Sequence, residues 1–233
     1  MSRRQFLKSI AIGSVAWSGV AHAAGSAQSG PRWGMVMDVR RCVSCQSCTL
    51  SCALENRVPA GQFRTHAWTW EVRSEDGRTG LAPLPQMCNH CEAPPCVEVC
   101  PAEATFRSPE GAVLVDYERC IGCGMCAQAC PYEARYVNAE AGKIDKCNFC
   151  LHRVEAGLLP ACVESCVGEA RVFGDLNDPQ SAASRLLAAN RQDIRVLKPE
   201  AGTRPSVFYV GLISALSAAD KRPGLVSAPA QGA

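Results

Sequence analysis

Sixteen cysteines dominate the chemistry that this sequence could perform, and all of them fall between Cys42 and Cys166. They separate into four groups of four with none left over: Cys42, Cys45, Cys48 and Cys52; Cys88, Cys91, Cys96 and Cys100; Cys120, Cys123, Cys126 and Cys130; and Cys147, Cys150, Cys162 and Cys166. Thiolates bind soft transition metals, so four-thiolate groups indicate zinc or iron–sulfur sites. The spacing within each group decides between these chemistries.

Short intervals repeated within the groups favour iron–sulfur clusters. The first and third groups have the spacing C-x2-C-x2-C-x3-C, the second C-x2-C-x4-C-x3-C and the fourth C-x2-C-x11-C-x3-C. The third group, followed by Pro131, matches the bacterial ferredoxin run in full. In that run three close thiolates bind one cluster and the fourth binds its neighbour. Four groups therefore predict four 4Fe–4S clusters with all sixteen cysteines as ligands.

Zinc and disulfide bonds are the alternatives for so many cysteines. Zinc ribbons use pairs of C-x2-C knuckles and do not need three close cysteines with a fourth at x3. Disulfides are compatible with an exported protein, but the crowding in C-x2-C-x2-C leaves poor pairing geometry. A colourless protein, or one zinc ion per four cysteines, would favour these alternatives.

Apolar segments that end in Asp lead into the cysteine loops at residues 37–45, 115–123 and, more briefly, 144–147. Short strands are predicted at residues 35–37 and 112–115, and short helices at 49–56, 97–101, 127–130 and 163–166. Strand, cysteine loop and helix, repeated about a pseudo-two-fold axis, predict an α+β fold of tandem ferredoxin-like modules.

The order of the groups predicts that one module is inserted within the other. Residues 88–137 form a continuous two-cluster module, and residues 34–57 and 138–175 form a split module around it. The fourth cysteines are expected to cross over between the clusters of each module. The expected ligand sets are Cys42, Cys45, Cys48 and Cys166; Cys147, Cys150, Cys162 and Cys52; Cys88, Cys91, Cys96 and Cys130; and Cys120, Cys123, Cys126 and Cys100.

Two segments lie outside these modules. Residues 58–87 are predicted to be a connecting hairpin, in which Trp68 and Trp70 either form a partner surface or pack on the module's own core. Residues 176–233 are predicted to be a docking extension. Its expected parts are a helix near 181–190, a strand at 207–212 and a loose tail rich in Ala, Ser, Pro and Gly.

Several residues near the cysteines could act on the clusters. Lys143, Lys146, Arg135 and Arg41 are candidates for offsetting cluster charge, with solvated surface charge as the alternative for each. Gly122 and Gly124 would let the backbone approach the third group's cluster closely. His90 and His152 are expected to pack or hydrogen-bond, because every group already supplies four thiolates.

The first 23 residues predict a twin-Arg export signal. Arg3 and Arg4 precede an apolar stretch of small residues at 10–20, and Ala21-His22-Ala23 offers a cleavage site. A cytosolic helix that carries two arginines is the alternative. Because this route exports proteins already folded around cofactors, we expect a periplasmic protein peripheral to the cytoplasmic membrane.

The charge of the remaining chain argues against binding nucleic acid. The formal net charge is +2, from 24 basic and 22 acidic residues. Arg3, Arg4 and Lys8 have no acidic neighbours in the export signal. Without these three the body of the protein is close to neutral, which does not fit a protein that works through a basic surface.

The order of the four groups, with the wide fourth spacing, resembles the iron–sulfur subunits of the dimethyl-sulfoxide-reductase family. This family includes subunits of polysulfide, thiosulfate, nitrite and tetrathionate reductases. The similarity covers residues 34–212, and the stretch from Lys146 to Cys166 is highly specific. Residues 40–48 and 196–212 look most like the subunits of the tetrathionate reductases. All sixteen ligand positions of the family pattern are present.

The resemblance implies an electron-transfer subunit that is not itself an enzyme. Electrons would enter from a quinol-oxidising membrane subunit, cross four clusters and leave to a molybdopterin catalytic subunit. Fully ligated clusters leave no open iron for substrate. The sequence has no evident nucleophile–base pair, phosphate loop or dinucleotide fingerprint. A free-standing polyferredoxin carrier is the alternative, and monomeric behaviour on gentle isolation would favour it.

Overall fold

The computed structural model describes residues 30–73, 79–213 and 225–227. In chain order the elements are β1 (Trp33–Asp38), α1 (Ser47–Asn56), β2 (Thr65–Arg73), β3 (Thr79–Met87), α2 (Pro95–Glu98), β4 (Thr105–Arg107), β5 (Val113–Val115), α3 (Met125–Gln128), β6 (Tyr136–Asn138), β7 (Lys143–Asp145), α4 (Leu151–Val154), α5 (Ala161–Glu164), β8 (Arg171–Asp175), α6 (Ala182–Ala189), β9 (Ile194–Arg195), β10 (Val207–Val210) and β11 (Leu225–Ser227). Among these described helices none is long and apolar enough to cross a membrane. The predicted export signal lies outside the described residues.

A four-stranded mixed sheet joins the start of the described chain to strands from residues 171–210, in the order β8-β1-β10-β9. Strand β1 pairs antiparallel with β8 and parallel with β10. Met35, Val36 and Met37 are fully buried in β1. Such a continuous apolar run is expected in a strand that is covered on both faces.

The place of β10 differs from the expectation that residues 176–233 extend beyond the modules. Strand β10 lies beside β1, and helix α6 covers the same sheet through Ala183, which packs with Val36 and Val210. Ser181 caps α6 by accepting the backbone N–H of Ser184 at 3.1 Å. Residues up to Val210 therefore complete the core of the split module, because the apolar side chains of β1 need cover on both faces.

Two short hairpins lead into the third and fourth cysteine groups. Strand β4 pairs with β5, which matches the strand predicted at residues 112–115, and β6 pairs with β7. The predicted boundary between residues 137 and 138 falls inside β6. The β6–β7 hairpin therefore spans the boundary that the sequence predicts between the two modules.

The hairpin predicted within residues 58–87 is formed by β2 and β3, with Thr65 opposite Met87. Trp70 packs against the main core, whereas Trp68 is 43% exposed. Trp70 therefore follows the core-packing alternative, and a partner surface at Trp68 stays a prediction. Strand β11 pairs with β2, so these three residues depart from the loose tail that the composition predicts.

Four of the helices begin one residue before the third cysteine of a group. Cys48, Cys96, Cys126 and Cys162 each occupy the second position of α1, α2, α3 and α5. The predicted helices begin only after these cysteines. The difference arises because a left-handed residue (Gln46, Gly124) or a proline (Pro94, Pro160) directly precedes each helix and starts it early.

Candidate metal centres

The eight cysteines of the split module line two small cavities. Residues that line the first include Cys42, Cys45, Cys48 and Cys166. Residues that line the second include Cys52, Cys147, Cys150 and Cys162. Each cavity thus takes three cysteines from one group and the last cysteine of the other. These are the two sets that the crossover predicts, and their role as ligands stays a prediction.

In the inserted module, Cys91 is surrounded by the three cysteines predicted to share its cluster. Burial and, less strongly, the neighbouring thiols of Cys88, Cys96 and Cys130 raise the pKa of Cys91 to about 12. Burial likewise raises the pKa of Cys162 to about 11. Such thiols keep their protons at neutral pH unless a metal replaces them.

The four cysteines of the last predicted set differ in how far they are exposed to solvent. Cys120 and Cys126 are buried in an apolar cluster that contains Cys96, and Cys100 packs against it. Cys123 is exposed, as is Cys45 in the first cavity. The first and last of the predicted sets therefore reach the surface, and the two between them lie inside.

The zinc and disulfide alternatives receive no support from the described residues. No disulfide bond joins any two of the sixteen cysteines, all of which the structure describes. Among the described residues, no three Cys, His, Asp or Glu side chains converge on a position for one metal ion. A tetrahedral zinc site with Zn–S bonds of about 2.3 Å needs such convergence. A cluster binds each thiolate to a different iron, so its ligands stand farther apart.

Hydrogen-bond donors point at the cysteine sulfurs of the split module. The Asn56 side-chain amide lies 3.6 Å from the sulfurs of both Cys52 and Cys150. Arg64 orients this amide by donating to its oxygen at 2.8 Å. The backbone N–H of Ala170 donates to the Cys166 sulfur at 3.2 Å. Donors of this kind position cluster ligands and tune the potential.

Several buried polar atoms within the cysteine loops have no partner in the described part of the chain. They are the Ser44 hydroxyl, both polar atoms of the Asn89 side chain and Nε2 of His90. Buried polar groups are almost always hydrogen-bonded. Ser44 and Asn89 stand between the first two cysteines of their groups, so the sulfur atoms of a cluster would give these donors acceptors. The residues present therefore fit a 4Fe–4S cluster.

Both histidines have the packing and hydrogen-bonding contacts predicted for them. The fully buried His90 ring stacks on Phe149 with centroids 3.5 Å apart. Its Nδ1 accepts the backbone N–H of Val113 at 3.0 Å, and burial holds the pKa of His90 well below its usual value. His152 is partly exposed and lies 2.8 Å from the carboxylate of Glu55.

The four predicted charge-compensating cations divide into buried and exposed ones. Arg135 is 7% exposed and donates to the Cys96 sulfur at 3.0 Å. Lys146 is also buried and donates to the carbonyl of Cys147 at 2.6 Å. Lys143 donates to a backbone carbonyl of the third cysteine loop. Arg41 instead forms a surface ion pair with Glu169, which agrees with the solvated alternative.

Two buried arginines near the cysteines were not expected from the sequence. Arg171 lines the first cavity. Arg64 lines the second and forms an ion pair with the buried Asp145 at 2.9 Å. The sequence could have pointed to Arg171, because Arg171 follows the last cysteine of its group at the same distance as Arg135 does. No motif marks Arg64, whose partner is 81 residues away.

Gly122 is required by a close backbone contact, so its replacement by alanine is expected to destabilise the protein. A Cβ at this position would collide with the carbonyl oxygen of Gly142 in the β6–β7 turn, and φ is +71°. Left-handed strain of about 1–2 kcal/mol and overpacking of about 1–3 kcal/mol give an expected loss of about 2–5 kcal/mol. The thermal unfolding midpoint of the cluster-loaded protein measures it.

Gly124 is the matched control for this prediction. Its φ is +77°, but nothing lies within 4 Å of a Cβ placed there. Gly124→Ala is therefore expected to cost the strain of about 1–2 kcal/mol without a collision with the protein chain. Equal losses in the two variants would contradict the role of the Gly142 contact.

Cysteine loops that enter short helices and cavities lined by cysteines together define a ferredoxin-like iron–sulfur protein. In agreement, residues 81–176 match a family described as a 4Fe-4S dicluster domain. The fold therefore contains a 4Fe–4S ferredoxin-like domain.

Comparison with known proteins defines the particular family. The chain is 50% identical to a tetrathionate reductase subunit of Salmonella typhimurium, over 91% of this chain and 88% of that protein. It is 44% identical to the subunit of the same name in Archaeoglobus fulgidus, over 79% and 84%. It is 39% identical to a polysulfide reductase subunit of Wolinella succinogenes, over 77% and 94%. The protein belongs to the iron–sulfur subunits of the dimethyl-sulfoxide-reductase family, which transfer electrons within reductase complexes.

Proposed function

We propose that this chain conducts electrons from a quinol-oxidising membrane subunit to a molybdopterin catalytic subunit that reduces tetrathionate to thiosulfate. Four 4Fe–4S clusters, one in each predicted cysteine set, would supply one-electron redox chemistry. The choice of tetrathionate as the substrate rests on the 50% identity to the Salmonella typhimurium tetrathionate reductase subunit, over 91% of the chain.

The arrangement of the cysteine sets supports a linear path through the protein. The first two sets share helix α1, which contains both Cys48 and Cys52. The second and third share the main core, in which Cys147 and Cys88 are buried together. The third and fourth share the apolar cluster of Cys96 and Cys120. The path would therefore run through the sets in one order, and neither of the inner two sets contains an exposed cysteine.

Exposed apolar residues at both ends of this path support docking of two partners. Val43 and Val167, 68% and 74% exposed, lie beside cysteines of the first set. Ile121 and Met125, 67% and 48% exposed, lie beside cysteines of the last set. Apolar residues placed beside an exposed cysteine suit an interface that must bring a partner's redox centre close. A free-standing carrier would need neither surface.

The proposed location is the periplasmic face of the cytoplasmic membrane. The twin-Arg sequence and the Ala21-His22-Ala23 site support export by the twin-Arg route after cluster insertion in the cytoplasm. A quinol-oxidising partner in the membrane would then hold the protein at that surface.

Quinol-driven assays of the native complex test the proposal. The complex is isolated anaerobically through a tag on this chain, and tetrathionate, polysulfide, thiosulfate and nitrite are compared as electron acceptors. We expect tetrathionate turnover, with a molybdenum-containing subunit co-purifying. The 39% identity to the Wolinella succinogenes polysulfide reductase subunit makes polysulfide the second candidate. Turnover of polysulfide alone would assign the protein to a polysulfide reductase complex instead. Isolation of the protein as a monomer would contradict the proposal.

A further inference from the structure

One buried arginine occupies the same position in each of the two modules. Arg135 and Arg171 each lie five residues after the last cysteine of their group, within the repeated sequence C-x-x-E-A-R. They are 7% and 3% exposed. The glutamate of each repeat, Glu133 or Glu169, has a left-handed backbone with φ of 52° or 48°. The backbone conformation is therefore repeated together with the sequence.

Each guanidinium is anchored by a buried threonine. Arg135 donates to the hydroxyl of Thr105 at 3.2 Å, and Arg171 donates to that of Thr65 at 2.8 Å. Both threonines are at most 3% exposed. Within the described part of the chain no carboxylate forms an ion pair with either arginine. Two permanent positive charges are thus held in the interior with no carboxylate partner among the described residues.

In the inserted module Arg135 stands between the two predicted cysteine sets. Its Nη2 donates to the sulfur of Cys96 at 3.0 Å. The threonine that its Nη1 contacts, Thr105, hydrogen-bonds the thiol of Cys100 in the other set. The guanidinium therefore reaches one set directly and the other through one side chain.

Arg171 has the equivalent position in the split module. It lines the cavity of Cys42, Cys45, Cys48 and Cys166. Its guanidinium contacts Thr65 at 2.8 Å and the Met87 sulfur at 3.7 Å, and both of these residues line the other cavity. One buried charge therefore faces both cysteine sets of this module as well.

A buried cation without a counter-ion is strongly destabilising. We propose that Arg135 and Arg171 are positioning residues for electron transfer, each raising the reduction potentials of the two clusters of its module. This inference rests on the proposed four-cluster function. A cluster held by these cysteines would gain one negative charge when a donor passes it one electron, and would lose that charge when the electron leaves to the next acceptor. No bond would form or break, and the fixed guanidinium would stabilise the added charge without taking up a proton.

The proposal is tested by removing the charge of each arginine and measuring the reduction potentials of the clusters. Arg171→Gln and Arg135→Gln are compared with the charge-conserving Arg171→Lys and Arg135→Lys in the anaerobically purified complex. Potentials are measured by redox titration followed by electron paramagnetic resonance. We expect each Gln variant to lower the reduction equilibrium constants of the two clusters of its own module about tenfold, or ~59 mV for a one-electron couple. The Lys variants are expected to shift the reduction potentials of these clusters much less than the Gln variants do.

Arg119→Gln is the matched control. Arg119 directly precedes Cys120 in sequence, but its side chain is 51% exposed and pairs with Glu103 at 3.1 Å. Solvent screens an exposed charge, so this variant is expected to leave all potentials unchanged. If Arg171→Gln fails to retain its clusters, Thr65→Val, which keeps the charge but removes its anchor, is expected to give a smaller shift in the same direction.

The outcomes separate this inference from the proposed function. Unchanged potentials in Gln variants that retain all clusters would overturn the inference alone, and so would equal shifts in Arg119→Gln. Unchanged potentials in Thr65→Val would overturn it in the same way. A parent complex in which this chain holds no 4Fe–4S clusters would overturn the proposed function and the inference together.

Discussion

Replacement of Cys130 by serine is expected to remove the cluster assigned to Cys88, Cys91 and Cys96, although Cys130 belongs to the third group in sequence. The reason is the crossover, since the thiol of Cys130 lies near that of Cys91. Quinol-driven reduction is expected to fall to background because the path is interrupted. Reduction driven by a dye that donates directly to the catalytic subunit should persist. Electron paramagnetic resonance of the purified complex identifies the lost cluster.

Cys126→Ser is the matched variant for this experiment. Cys126 is four residues before Cys130 and belongs to the same group, but it is assigned to the cluster of Cys100, Cys120 and Cys123. The two variants should therefore lose signals of different clusters. If each group instead bound its own cluster, both variants would lose the same signal, and the crossover assignment would be wrong.

Replacement of Arg64 by methionine is expected to destabilise the protein by about 3–5 kcal/mol, because it leaves a buried carboxylate without its cation. The side chains of Arg64 and Asp145 are 9% and 5% exposed and lie 2.9 Å apart. Asp145 also accepts the Tyr136 hydroxyl at 2.5 Å and the backbone N–H of Lys146 at 2.6 Å. In a protein of this size each kcal/mol shifts the unfolding midpoint by roughly 2–4 °C.

Two further variants make the Arg64 result interpretable. Arg119→Met removes an exposed ion pair with Glu103, and such pairs contribute about 0–1 kcal/mol. The double variant Arg64→Met with Asp145→Asn removes both buried charges and should recover much of the lost stability. An unfolding midpoint of Arg64→Met no lower than that of Arg119→Met would show that the buried pair contributes little.

The residues that define the chemistry could be predicted from the sequence alone. The spacing of the sixteen cysteines predicts cluster loops, because intervals of two or three residues fix the geometry of a single turn. The Asp that precedes three of these loops has a local role as well. Asp116, for example, accepts the backbone N–H of Glu118 at 2.9 Å at the entrance to its loop. The starts of the predicted helices lie within two residues of the observed ones for the same local reason.

Only the tertiary structure decided which distant segments come together. Strand β10 lies beside β1, although Val207 and Met35 are far apart in sequence. The contact of Arg171 with Thr65 spans 106 residues, and that of Arg64 with Asp145 spans 81. Spacing within a motif encodes local backbone geometry, whereas these contacts depend on how the whole protein buries its apolar strands and charges. The sequence thus determined which residues could hold clusters, and packing determined which strands complete the core and which cations face the cysteines.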